Sequence, residues 1–390
     1  MTTIQPIYTP IPQCNPAALT AELRGEIDSA IARVLDGGPY ILGPEVEAFE
    51  TEWAAWCGVG QAVGCASGTD ALELILRGLD LPPNSQVVAP SHTAVATICA
   101  IARAGHRPMF ADVDQISYCL DPASVERCIL AAVEAKDPVA AVIGVHLYGH
   151  PFEIDALQNL CQSHGLPLIE DASQAHGAGW KGKKVGGFGV AAAFSLYPTK
   201  NLGALGDAGV ITTNDAAFAN RLRSLRQYGW ERSAISEEPG VNSRLDPLQA
   251  AILRVKLPYL EAHNLRRQAV AATYSHLLKK LRGLSLPVGA VNVEHVFHQY
   301  VIQVLDGQRD WLRDQLSLRG IGTLIHYPKA AHQMKAYSVN VQANRDPSGL
   351  TSTELLVPQF VSLPMGTHLR DEDVQKVVDS LEEIFVSKGS

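Results

Sequence analysis

Two acidic residues close an apolar run at Leu168-Ile169-Glu170-Asp171, and Gln174 and His176 follow within five residues. A second apolar run, 191–196, leads into Tyr197-Pro198-Thr199-Lys200. A lysine is ordinarily a solvated surface charge. One held at a strand end near a strand-end aspartate can be desolvated, and then serves as an amine nucleophile. A third feature, Ser67-Gly68-Thr69-Asp70, opens a stretch of helical periodicity. It reads either as a plain capping box, Ser67 with Asp70, or as a helix N-terminus whose free N–H groups take an anion. An amine, a carboxylate and a phosphate cradle are together what pyridoxal phosphate (PLP) demands: a Schiff-base partner, a counter-charge for the pyridinium nitrogen, and phosphate donors.

A glycine-rich stretch competes for the phosphate. Residues 177–182 fit GxGxxG, and 177–183 fit GxxxxGK. No amphipathic helix follows, and Lys184 stands where a P-loop needs Ser or Thr, so the context expected of a nucleotide fingerprint is missing. The segment reads as a glycine-rich loop or hairpin.

The elements that must position these residues alternate. Helical spacing covers 48–56, 69–79, 94–102 and 154–161, and strand-like runs cover 86–89, 108–113, 139–146, 166–169, 190–196 and 209–213. Strand, helix, strand in this order predicts a mostly parallel sheet, hence an α/β fold with ligands outside the carboxyl ends of its strands. Beyond about residue 250 the texture changes: Pro258 interrupts a long helical stretch, then come a strand at 298–305, a helix at 311–318 and a strand at 320–325. This predicts a large domain over 1–254, with an extended Pro-rich arm in its first 20 residues, and a smaller α+β domain over 255–390.

Composition bounds the partners. In 390 residues, 32 Lys and Arg against 40 Asp and Glu give a net charge of −8, which argues against general affinity for nucleic acid or anionic membranes. No apolar run is long enough for a bilayer span, and no basic leader precedes an apolar core. The seven cysteines show no CxxC spacing and read as small buried hydrophobes in a reducing compartment, with no metal site; a cytoplasmic protein is expected.

Several motifs in this order and spacing resemble the DegT/DnrJ/StrS family of PLP-dependent sugar aminotransferases: Gly43-Pro-Glu-Val-Glu, Ser67-Gly-Thr-Asp-Ala-Leu, Ser91-His-Thr-Ala-Val-Ala-Thr, His146-Leu-Tyr-Gly-His, Glu170-Asp-Ala-Ser-Gln, Phe194-Ser-Leu-Tyr-Pro-Thr-Lys-Asn-Leu-Gly, Gly206-Asp-Ala-Gly and Asn242-Ser-Arg-Leu-Asp. The resemblance implies fold type I of the PLP-dependent transferases. It makes Lys200 the Schiff-base lysine, Asp171 the partner of the pyridine nitrogen and Gln174 the neighbour of the phenolic oxygen. His92 would stack on the cofactor's open face, and Gly68, Thr69 and Ser195 would cradle the phosphate. Asn242 would reach that phosphate from the second subunit of a homodimer. Tyr197, His326 and Tyr327 would face the substrate. The implied activity is transamination of a nucleotide-linked keto-deoxysugar, with a dTDP-3-keto-6-deoxyhexose as acceptor and L-glutamate as donor. A lysine at 200, where related sugar dehydratases carry histidine, favours transamination. Alternatives are another ketone, such as a keto-inositol or 4-keto sugar, a non-catalytic PLP- or sugar-nucleotide-binding regulator, and a nucleotide-binding protein built on 177–189.

Overall fold

A computed structural model of the chain describes residues 10–231, 234–338 and 344–389. Its centre is a seven-stranded sheet. In chain order the strands are β1 (Gln61–Cys65), β2 (Gln86–Pro90), β3 (Arg107–Ala111), β4 (Val139–Val145) and β5 (Leu168–Asp171). A short antiparallel hairpin, β6 (Gly179–Trp180) and β7 (Lys183–Lys184), comes next, and β8 (Ala191–Ser195) and β9 (Gly209–Thr213) complete the sheet. The spatial order is β1-β9-β8-β5-β4-β2-β3. Strands β3, β2, β4, β5 and β8 run parallel. Only β9 is reversed, pairing antiparallel with β8 on one side and β1 on the other. The alternation in the sequence anticipates the parallel sheet. It does not anticipate the reversed strand, because Gly209–Thr213 is buried on both faces and its pattern carries no direction.

Helices cover both faces. Pro44–Cys57, Pro122–Glu134 and Ile154–Ser163 pack on one side around Phe49, Trp53, Phe152 and Phe194. Gly68–Gly78, Val95–Arg103 and Ala216–Leu225 cover the other with Leu72, Ile75, Ile101 and Leu222. A separate apolar cluster lies around a three-stranded antiparallel sheet of β10 (Leu284–Ser285), β12 (Tyr300–Val304) and β13 (Phe360–Leu363). Between them in the chain, β11 (Val293–Glu294) extends the β6–β7 hairpin. Pro258 acts as expected: one helix ends at Lys256, a 3-10 turn spans Leu257–Tyr259, and a new helix runs Leu260–Leu278. A boundary at 254/255 falls inside the helix Pro247–Lys256, which packs against Pro44–Cys57 of the large sheet's cover.

Two expectations are corrected. The arm is not extended throughout: Asn15 accepts from the Ala18 amide and Pro16 opens a helix over Pro16–Glu22, the asymmetry that favours Asn before and Pro at a first turn. Residues 1–9 of the arm lie outside the described residues. Segment 320–325 is not a strand. Its amides and carbonyls change partner along the way, Gly320 and Gly322 bonding Ile11 and Leu324 bonding Ser362, so no ladder forms. No helix among the described residues is long and apolar enough to cross a membrane.

Candidate active site

The parallel strands all end at one edge, and the loops leaving that edge carry the expected residues. β1 leads into Ser67-Gly68-Thr69, β2 into Ser91-His92-Thr93, and β4 into His146–His150. β5 ends in Asp171, and β8 ends in Ser195 and leads to Lys200. The reversed β9 brings Asp207 and Ala208 to the same edge from the other direction. A cavity of about 330 Å³ opens there. Its lining includes Gly68, Thr69, Asp171, Gln174, Ser195 and Lys200, and also Tyr197, His326 and Tyr327. Nine of the eleven expected site residues thus share one wall or another of a single pocket, large enough for a cofactor.

The phosphate-type cradle is tight. Ser67 caps the helix Gly68–Gly78 by accepting from the Asp70 amide at 3.1 Å. The reciprocal half of the capping box is not made: the Asp70 carboxylate instead accepts from Ser243 Oγ and pairs with Arg103. Gly68 and Thr69, whose amides open the helix, line the cavity, the arrangement that takes an anion. Gly68 has no room for a side chain, since a Cβ there would lie 2.6 Å from the Cβ of Ser195 and 3.1 Å from Ser173 Oγ.

Asp171 is buried and held at both oxygens: Thr97 Oγ1 donates to Oδ2 at 2.8 Å, and the Ser173 amide donates to Oδ1 at 3.1 Å. Burial lowers the Lys200 amine from 10.5 to about 8, against the opposing pull of the Asp171 charge. Gln174 is clamped by the Tyr148 amide at 2.7 Å on its oxygen, and its nitrogen donates to the Tyr327 hydroxyl. Burial and the Lys200 charge push His326 down to about 4, and its Nδ1 meets Ser362 Oγ at 2.6 Å. The residues therefore fit PLP: an amine near neutrality, a fixed carboxylate, an amide nitrogen and an anion cradle line one cavity.

His92 does not take the expected place. Its side chain is buried 1 % exposed, donates to or accepts from Tyr148 Oη at 2.9 Å, and packs on Phe360. Thr93 and Ala94 line the cavity instead. The turn after β2 sends successive side chains to opposite sides, and the motif match could not tell which one faces in. Asn242 lies on the surface, paired with Gln227 through backbone, and does not line this chain's cavity.

Sequence reasoning left out several functional side chains. Tyr148 sits at φ 59° beside Gly149 at φ 94°, and this strained turn aims its amide at Gln174. Thr97 orients Asp171, and Ser173 and His298 complete the lining. The signals were present in the His146–His150 and Ser91–Thr97 motifs without an assignable role. The glycine-rich stretch is the β6–β7 hairpin and its return. Its Gly186, Phe188 and Gly189 amides bind the carboxylate of Glu170 rather than a phosphate. The basic run Arg221, Arg223 and Arg226 is engaged within the fold: Arg221 pairs with Asp80 and Glu238, Arg223 bonds Gln61 and Ala62, and buried Arg226 pairs with Glu50.

A profile of the DegT/DnrJ/EryC1/StrS aminotransferase family matches residues 21–382. The chain belongs to this family. Among relatives of this aminotransferase, a dTDP-3-amino-3,4,6-trideoxy-alpha-D-glucose transaminase of Streptomyces venezuelae is 44% identical, over 96% of each chain. A UDP-N-acetyl-3-dehydro-alpha-D-glucosamine 3-aminotransferase of Acidithiobacillus ferrooxidans is 40% identical, over 95% of this chain and 96% of the other. The crystal structure of S. venezuelae DesV in complex with a ketimine intermediate superposes with a TM-score of 0.91 at 44% identity, covering 97% of this aminotransferase and 99% of DesV. The fold is that of the sugar aminotransferases.

Proposed function

We propose that this aminotransferase binds PLP in the 330 Å³ cavity and moves the amino group of L-glutamate to the C3 ketone of a nucleotide-linked hexose, a dTDP-3-keto-6-deoxyhexose by first choice. The observation that carries the reading is that Lys200 and Asp171 line the same cavity as the Gly68–Thr69–Ser195 cradle. Both relatives named above carry their nitrogen at C3 although their nucleotides differ, so the position is better supported than the nucleotide.

PLP, when bound, supplies an electron sink that carries the amino group from donor to acceptor. The cradle would hold its phosphate, Asp171 its ring nitrogen and the Gln174 amide its phenolic oxygen. Thr97 and the Ser173 amide keep Asp171 aimed by donating to it. Lys200 is the general base: its Nζ removes the α-proton of glutamate in the first half-reaction and protonates the sugar carbon in the second. An amine poised near pH 8 suits both tasks, because it releases a proton about as readily as it takes one. Tyr197, half exposed at the mouth, and His326 and Tyr327 deeper in would position the sugar. The nucleotide supplies remote binding energy that orients the ketone. Asn242, exposed on its own chain, would complete the phosphate cradle of the other subunit in a homodimer.

The test is spectroscopic. The protein loaded with PLP is expected to be yellow, to lose the yellow band on addition of L-glutamate, and to recover it when the dTDP-linked 3-ketosugar is added. Lys200→Ala should fold, bind PLP and show no turnover. A protein that stays colourless with PLP, or a Lys200→Ala variant with full activity, would overturn the reading. Recovery with a UDP-linked 3-ketosugar alone would change the nucleotide and keep the chemistry.

A further inference from the structure

Thr199 and Lys200 also form part of the wall of a second, smaller cavity of about 40 Å³. Its other walls come from three separated segments: the arm at Cys14–Leu19, the helical stretch carrying Lys256, His263 and Arg267, and the turn at Met365–His368. Two full cations are buried here, Lys256 at 3 % exposed and Arg267 at 9 %. Neither has an acidic partner. Lys256 Nζ makes one bond, to the Gly203 carbonyl at 2.7 Å. Arg267 Nη1 reaches the Phe297 and His298 carbonyls only at 3.4 Å, and its Nε has no partner. No carboxylate lines the cavity, unlike the cofactor cavity, which holds Asp171 and Asp207. The nearest acids sensed by its histidines are Glu22, which is exposed, and Asp373, which is engaged by Arg370. Burial accordingly lowers Lys256 to about 8 and Arg267 to about 10.

Two buried cations without a counter-charge cost the fold several kcal/mol unless an anion joins them. The cavity has room for one small ion. We propose that this cavity, lined by Lys256 and Arg267, binds one small monoanion of chloride or formate size. There it would tie the N-terminal arm, the Lys200 loop and the 365–368 turn together, forming a structural anion site against the back of the catalytic lysine.

The experiment uses the full chain saturated with PLP, so that the phosphate cradle is already filled. Chloride and formate are titrated at constant ionic strength, balanced with a bulky sulfonate salt, and Tm is followed by calorimetry. At least one of the two is expected to raise Tm saturably by about 1–3 °C. The rise should vanish in Lys256→Met and in Arg267→Met. In parallel, the chloride-35 or [13C]formate resonance should broaden with the parent protein and not with Lys256→Gln, a second variant that keeps the packing if a methionine variant does not fold. Absence of both a saturable rise and broadening overturns the site. So does an equal rise in parent and variants. None of these readouts depends on turnover, so the site stands or falls apart from the transaminase reading.

Discussion

At the residue scale the site is a set of side chains whose ordinary properties are altered by where they sit. Lys200 is the clearest case: burial drives the ammonium toward the free amine, and Asp171 pulls the other way. Neutralising Asp171 removes only the opposing pull. In the cofactor-free protein, Asp171→Asn should therefore shift the amine's midpoint below about 8, read as the pH dependence of its reaction with an amine-directed reagent. A midpoint that stays or rises would mean the two groups do not sense each other. Gly68 is constrained by space rather than charge. Gly68→Ala forces a Cβ against Ser195 and should cost about 1–3 kcal/mol in denaturant unfolding and weaken PLP binding at least tenfold.

At the element scale, strand ends do the positioning and the glycine-rich hairpin supports them from below. Glu170 points away from the cofactor cavity, accepts from His146 at 3.0 Å, and takes three amides from the return of the β6–β7 hairpin. Burial opposes its ionisation, but these bonds outweigh burial and hold the carboxyl below its ordinary range. The charge is thus fully paired although buried. Glu170→Gln keeps the shape and removes the charge that these donors solvate. It should cost roughly 3 kcal/mol, seen as a fall in Tm, with activity surviving in the fraction that remains folded. A loss of activity with no loss of stability would instead place Glu170 in the chemistry.

At the scale of the whole molecule, the proposed function makes the site depend on a second chain, because Asn242 is exposed and does not line its own chain's cavity. If the partner's cradle uses it, Lys200→Ala and Asn242→Ala should each be strongly impaired, and mixing the two after co-refolding should restore activity through mixed dimers with one site intact. Failure to complement, with Asn242→Ala fully active by itself, would leave the cradle to one chain. The anion cavity belongs to this scale as well, since four segments far apart in the chain meet at it.

What the sequence determined on its own was local and ordinal. Most helix and strand periods survive in place, the segment 320–325 excepted, and a capped helix start after β1 is written in Ser67-Gly68-Thr69. Lys200 and Asp171 stand out by residue type at strand ends and Gln174 by the family resemblance, and the cavity they line follows from parallel strands ending on one edge. The tertiary structure decided direction and facing. It reversed β9, turned His92 into the core while Thr93 and Ala94 faced the cavity, and gave the glycine-rich stretch to a carboxylate instead of a phosphate. Each of these depends on which distant groups close around a short segment. Such a choice is made by packing and hydrogen bonding between residues far apart in the chain, and neighbouring residues in the sequence carry no record of it.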